Sequence, residues 1–104
     1  MNVPALPVVI TRRAARQVEA AALWWKVNRP AAPDALRDDL AGALTLIADQ
    51  PTCGAPTASR RFPGVRRIHL ARVGYHVYYR LAPRLRQVQV VALWHARRGS
   101  PPPL

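Results

Sequence analysis

Two stretches in the first half of the chain have hydrophobic residues at helical spacing. In the first stretch, Val18, Ala22 and Trp25 recur at i, i+4 and i+7, which predicts a helix with one apolar stripe. Thr11 can cap the start of this helix. The segment before Pro30 ends it, because proline disfavours helical backbone in the preceding residue.

The second stretch is the clearest helical pattern in the chain. It begins near Pro33-Asp34, where proline suits a first turn and acidic side chains favour the positive end of the helix dipole. It ends at Gln50-Pro51. Its apolar positions keep helical spacing: Leu36, Leu40, Ala43, Leu44 and Ile47. Because only a few residues join the two helices, we predict an antiparallel αα-hairpin.

Four runs of β-branched and aromatic residues predict strands. They are Val8 to Ile10, Val65 to Leu70, Tyr75 to Leu81 and Gln87 to Trp94. Short turns at residues 71–74 and around Pro83 predict that the last three strands form an antiparallel meander. Prolines and glycines predict a loop over residues 51–64. We therefore expect the order β-α-α-β-β-β, an α+β fold with the helical hairpin packed on one face of a small, mainly antiparallel sheet.

Alternation along the strands assigns a face of the sheet to each side chain. The face toward the helices is expected to hold Ile68, Leu70, Val77, Tyr79, Leu81, Val88, Val90 and Ala92. The opposite face is expected to hold mainly basic, aromatic and histidine side chains: Arg67, His69, His76, Tyr78, Arg80, Leu93 and His95. We expect the functional residues on this second face.

The length of the chain favours a single domain, which we place over residues 1–98. Residues 99–104 form a proline-rich tail with little to pack, and we expect it to be flexible. The apolar runs are too short for a membrane helix of ~20 residues, and the start lacks the basic region of a signal peptide. The single cysteine, Cys53, excludes an internal disulfide. We expect a cytoplasmic protein that makes no contact with membranes.

Charge is distributed very unevenly along the chain. It carries 16 basic and 5 acidic residues, for a net charge of +11, and all the acids precede residue 50. Ten arginines and no acid follow. A GC-rich source could explain why arginine outnumbers lysine, but not why the acids vanish from one half. The pattern predicts a basic surface that attracts a polyanion or an acidic partner.

The histidines and arginines of the second half could serve RNA cleavage. Histidine can exchange a proton near neutral pH, which makes His69, His76 and His95 candidate catalytic residues if the protein is a nuclease. Arginine can hold phosphate. The candidate phosphate- or target-binding residues are Arg67, Tyr78, Arg80, Arg97 and Arg98. The alternative is that these are ordinary solvated strand and chain-end residues. No tight histidine spacing or accompanying acid is present, so we expect no metal site and no cofactor.

Four segments, in this order, resemble the RelE/ParE toxin superfamily. They are Trp24 to Pro30 with the acidic start of the next helix, Gly64 to Leu70, Gly74 to Arg80 and Val90 to Arg98. The similarity spans residues ~8 to 99, and the ordered series carries it rather than one motif. It implies a compact toxin that a cognate antitoxin, encoded beside it, holds inactive in a hetero-oligomer.

The resemblance implies one of two targets, which the shared fold cannot separate. RelE-like members cut messenger RNA in the ribosomal A site, and ParE-like members poison DNA gyrase. The basic positions of the RNA-cutting branch align with Arg67, His69, His76 and Arg97, and two of these are histidines where the best-known member has lysine and arginine.

The RNA-cutting branch also has an aromatic residue near the C-terminus. In this chain the corresponding position falls among prolines 101–103, so the aromatic residue is missing. Tyr78 could replace it only if its ring reaches the same space. The departure favours a ParE-like toxin that poisons DNA gyrase, with a ribosome-dependent mRNA endonuclease as the alternative. A third hypothesis is a harmless basic nucleic-acid-binding module, although no recognition helix or RNA-binding sheet signature supports it.

Overall fold

A computed structural model describes residues 4–59 and 61–104 of the chain. The helices are α1 (Arg12–Asn28) and α2 (Ala35–Asp49), and the strands are β1 (Val8–Ile10), β2 (Ala55–Pro56), β3 (Arg66–Leu70), β4 (Tyr75–Ala82) and β5 (Gln87–His95). The helices pack on one face of a five-stranded sheet, which confirms the predicted α+β class. Arg60, one of the ten arginines noted above, lies outside the described residues.

The helices begin and end where their capping residues predict. The Thr11 side chain accepts a hydrogen bond from the Ala14 backbone N–H at 3.2 Å, which fixes the first turn of α1. The last turn closes when the Arg29 N–H donates to the Trp25 carbonyl at 2.7 Å, directly before Pro30. The second helix starts after Asp34, as expected.

The strands lie in the order β1-β5-β4-β3-β2. The meander β3-β4-β5 is antiparallel, as predicted. β1 pairs with β5 in parallel, with Val8 opposite Val88 and Ile10 opposite Val90, because the helical hairpin carries the chain back before the meander begins. This places β1 at one edge of the sheet and leaves the end of β5 beyond Val90 without a strand on that side.

The prediction that residues 51–64 are entirely loop is wrong at one place. Ala55 and Pro56 form β2, which pairs with Arg67 and Arg66 at the edge of the sheet. A two-residue strand that contains proline has no alternating pattern to recognise, and proline is tolerated there because the strand is at an edge.

A β-bulge in β5 reverses the predicted faces at the end of that strand. Tyr78 lies opposite Ala92 whereas the next residue, Tyr79, lies opposite Val90, so Val91 is an extra residue. Ala92 therefore does not face the helices as predicted, and Leu93 packs in the helix-side core instead of on the opposite face.

Each face of the sheet carries a hydrophobic cluster. The main core lies between the sheet and the helices, and Leu36, Ile47 and Tyr79 are among its fully buried residues. The second cluster lies on the outer face and contains Val65, Tyr78, Val91 and Ala92, with Phe62, Trp94 and Leu104 packed against it. Leu81, predicted to be in the core, is 40% exposed near the end of β4.

The C-terminal tail lies over the second cluster. Trp94 donates its indole N–H to the Ser100 carbonyl at 2.9 Å, and Leu104 packs against the cluster. The outer face of β5 is therefore covered in this structure, a contact that the composition of the tail did not predict. Mobility of residues 99–104, and the division of the chain at residue 98, stay predictions.

Candidate functional site

Two histidines face each other on the side of the sheet away from the helices. His69 on β3 lies opposite His76 on β4, and their ring centroids are 4.8 Å apart in an edge-to-face arrangement. Arg67 lies two residues before His69 and therefore on the same face. We call these three residues the histidine face. The structure brings together this part of the predicted site.

The environment of His76 favours its neutral form. Partial burial lowers the pKa of His76, and the charges of Arg67 and His69 lower it further. At neutral pH this imidazole can accept a proton or a hydrogen bond, but it adds no positive charge for a phosphate. Arg67 supplies a permanent charge beside it.

The two other predicted contact residues on this face are less available. Tyr78 is only 3% exposed, because it packs in the second cluster beneath the loop and the tail, so its ring cannot replace the missing C-terminal aromatic residue by stacking on a ligand. The Arg80 Nε donates to the Gln89 side-chain oxygen at 3.1 Å, and its guanidinium lies 5.2 Å from the centre of the Phe62 ring.

His95 lies away from the histidine face, which corrects the prediction that groups the three histidines. The bulge at Val91 turns the end of β5 over, and the His95 ring contacts the Tyr75 ring with centroids 5.0 Å apart. The Arg97 backbone N–H donates to His95 Nδ1 at 3.1 Å. A nitrogen that accepts this bond is unprotonated, so a neutral His95 carries its proton on Nε2.

Three adjoining hollows form a cleft beside His95, at the end of the sheet where α1 passes over β5. All three share Trp24, Tyr75 and His95 in their walls, and the largest has a volume of about 380 Å³. Arg97 and Arg98 line this terminal cleft on the side of the tail. The predicted site residues are thus divided between the histidine face and the terminal cleft.

Arg98 is held in place at the rim of the terminal cleft. Its guanidinium lies 4.1 Å from the centre of the Trp94 ring, a close cation–π contact. Burial raises the pKa of Tyr75, and the nearby positive charge of Arg98 opposes that shift. The cleft therefore combines fixed positive charge with uncharged aromatic rings.

Sequence analysis missed Trp24 and Tyr75 as members of a site. Adjacent residues on a helix point in different directions, so only one tryptophan of the Trp24-Trp25 pair can follow the core stripe. Trp25 does so, whereas Trp24 is 47% exposed. The pair of adjacent tryptophans was the available signal for Trp24. Tyr75 follows the regular alternation of β4 to the helix side, and only the bulge in β5 places His95 on that side too.

The described residues also limit other kinds of site. Within residues 4–59 and 61–104, no three histidine, cysteine or acidic side chains come together to hold a metal ion. Over the same residues, no helix combines the length and the apolar character that crossing a membrane requires.

Comparison with known proteins decides the family. The family model described as the ParE toxin of the type II toxin–antitoxin system parDE matches residues 8–99. The chain belongs to the ParE toxin family. No match was found among individually curated proteins.

The fold of this ParE-family chain also occurs in solved structures. One match is a chain of the chromosomal ParDE toxin–antitoxin system of P. aeruginosa, with a TM-score of 0.70 and 21% sequence identity. The match covers 89% of this chain and 98% of the other.

Proposed function

We propose that this ParE-family toxin arrests bacterial growth by binding DNA gyrase in the cytoplasm and trapping its complex with cleaved DNA, without a hydrolytic site of its own. The observation that carries the proposal is the division of the candidate catalytic residues. Acid–base catalysis needs its groups within hydrogen-bond reach of one substrate, at about 2.6–3.2 Å. His95 lies in the terminal cleft, apart from the His69–His76 pair, and Tyr78 is buried.

The test is a triple variant in which His69, His76 and His95 are each replaced by glutamine. We expect brief expression without antitoxin to arrest growth as strongly as the wild type, with gyrase–DNA cleavage complexes and an SOS response in both. A variant of the exposed turn residue Arg84→Gln serves as the control for expression. Growth arrest with intact DNA would contradict the proposal.

A ribosome-dependent mRNA endonuclease is the second candidate, and one observation favours it. His76 lies beside His69 and Arg67, and burial together with these charges lowers its pKa, which suits a general base next to a phosphate-binding cation. This hypothesis expects new RNA 5′ ends within codons of translated messages. It also expects His76→Gln to slow cleavage by about 10²-fold or more. Growth arrest with no new RNA ends would exclude it.

Membership of this family implies an antitoxin partner, and the charge of the chain indicates its character. The described residues form two ion pairs between side chains, Arg37 with Glu19 and Arg72 with Asp39. We propose that an acidic antitoxin segment covers arginines of the second half. The association rate should then fall as salt rises, because screening weakens electrostatic steering. An association rate that does not change with salt would oppose this view.

Expression of the chain without any growth arrest would instead favour the third hypothesis, a harmless nucleic-acid-binding module.

A further inference from the structure

The terminal cleft contains an aromatic ring that the fold does not use. Trp25 is fixed by its indole N–H, which donates to the Ala32 carbonyl at 2.8 Å. Trp24 is 47% exposed, and its ring lies beside the Trp25 ring with the Arg29 guanidinium 5.5 Å from its centre. A large apolar ring that stays open to solvent in a concave wall is a surface on which a planar ligand can stack.

The charge around this ring is positive. Among the described residues that line the three hollows, none is acidic and four are arginines: Arg29, Arg72, Arg97 and Arg98. Arg72 is paired with Asp39, whereas the described residues form no ion pair with the other three, of which Arg29 and Arg98 contact tryptophan rings. The cleft thus places guanidinium groups next to Trp24 and Tyr75, and a ligand that fits it has both a flat ring and a negative charge.

We propose that the terminal cleft binds single-stranded nucleic acid, with a base stacked on Trp24 and the adjoining phosphate held by Arg98. Stacking on aromatic rings combined with a basic groove is the usual way in which proteins hold single strands. Duplex DNA fits less well because its bases are already stacked inside the helix. An acidic peptide would use the arginines but would leave the open Trp24 ring without a stacking partner. The proposal goes beyond gyrase poisoning and does not depend on it.

The experiment measures binding of a fluorescein-labelled 12-nucleotide oligothymidylate to the purified chain, free of antitoxin, by fluorescence anisotropy. Trp24→Ala should weaken binding roughly fivefold to a hundredfold, the loss expected for one base–aromatic stack. Leu23→Ala is the matched control, because Leu23 is the preceding residue on α1, is 65% exposed and does not line the cleft. It should leave the affinity unchanged, and Trp24→Tyr should retain most of it.

A second pair of variants separates a site from general attraction by a basic protein. Arg98→Ala should reduce the slope of log K against log salt by about 0.7, the value for one phosphate of a single strand. Arg84→Ala removes the same charge at the opposite end of β5 and should leave the slope unchanged.

Four results would overturn the proposal. The first two are equal losses of affinity for Trp24→Ala and Leu23→Ala, and equal changes of the salt slope for Arg98→Ala and Arg84→Ala. The other two are binding of a 12-base-pair duplex as tight as that of the oligonucleotide, and a Kd for the oligonucleotide above about 100 µM. Circular dichroism of each variant shows that any loss does not come from misfolding.

Discussion

Replacing Tyr79 by phenylalanine removes one oxygen atom from the centre of the protein. The Tyr79 hydroxyl accepts a hydrogen bond from the Gly54 backbone N–H at 2.8 Å, and both residues are buried. Without the hydroxyl, that N–H has no partner and no access to water. A buried donor left unpaired costs about 1–3 kcal/mol, which is the decrease that we expect in the free energy of unfolding.

The same contact predicts the effect of Gly54→Ala. A Cβ added to Gly54 would lie 2.6 Å from the Tyr79 hydroxyl, 2.8 Å from Cε1 of the same ring and 2.9 Å from the Arg67 carbonyl oxygen. The ring and the strand backbone cannot both move aside, so overpacking should cost about 1–3 kcal/mol. Tyr79→Phe relieves only the first of the three contacts. Gly54→Ala should therefore destabilise the Tyr79→Phe variant as well.

Tyr78→Phe is the matched control, since it is the same chemical change one residue earlier on the same strand. The described part of the chain shows no hydrogen bond to the Tyr78 hydroxyl. The assay is urea denaturation followed by tryptophan fluorescence, in which the shift of the midpoint at constant slope reports the loss of stability. Thermal unfolding should show a lower Tm by roughly 4–8 °C for each kcal/mol. Equal midpoints for Tyr79→Phe and Tyr78→Phe would refute the argument.

Three further predictions concern other parts of the molecule. Titration of His76 by NMR should give a pKa below 6.5, and Arg67→Gln should raise that pKa. Because the pKa of His76 is lower in the folded than in the unfolded state, His76 contributes stability above about pH 6.5, and this contribution is lost as the pH falls through the folded-state pKa. A His76 pKa at or above 6.5 would contradict this prediction. Gln17→Leu should lower the free energy of unfolding by about 1–3 kcal/mol, because the Gln17 side-chain oxygen accepts a hydrogen bond from the Leu93 backbone N–H at 2.9 Å, beyond the end of β1. Chemical denaturation that shows no loss of stability would exclude this role. Thr11→Ala should cost about 1 kcal/mol by loss of the α1 cap, with the exposed mid-helix Thr45→Ala as the control that should cost less.

The sequence predicts most of the fold because its signals are local. Thr11, Pro30 and Pro33 mark helix ends by their own backbone chemistry, and the apolar positions of α2 keep one face over four turns. Two of the features that were missed depend on distant partners. β2 exists because Ala55 and Pro56 meet β3, and the bulge at Val91 becomes visible only in the pairing of β5 with β4.

The candidate site was predictable only up to the bulge. Arg67, His69 and His76 lie on unbroken parts of β3 and β4, so simple alternation places them together correctly. His95 comes after the extra residue, and alternation assigns it to the wrong face. The burial of Tyr78 could not be predicted either, because the residues that cover it come from the loop and the tail rather than from its own strand.

Val91 has a consequence for how such a protein can change over generations. In this strand, the bulge accommodates one additional residue, so Ala92 to His95 keep the faces and the β4 partners that they would have in a regular strand without Val91. Loss of the Val91 codon would remove the bulge and leave Ala92 opposite Tyr78 and His95 opposite Tyr75, each on its present face. A three-nucleotide deletion at this position therefore preserves both surfaces, whereas the same deletion in the unbroken strand β3 would turn the side chains of the rest of that strand to the opposite face.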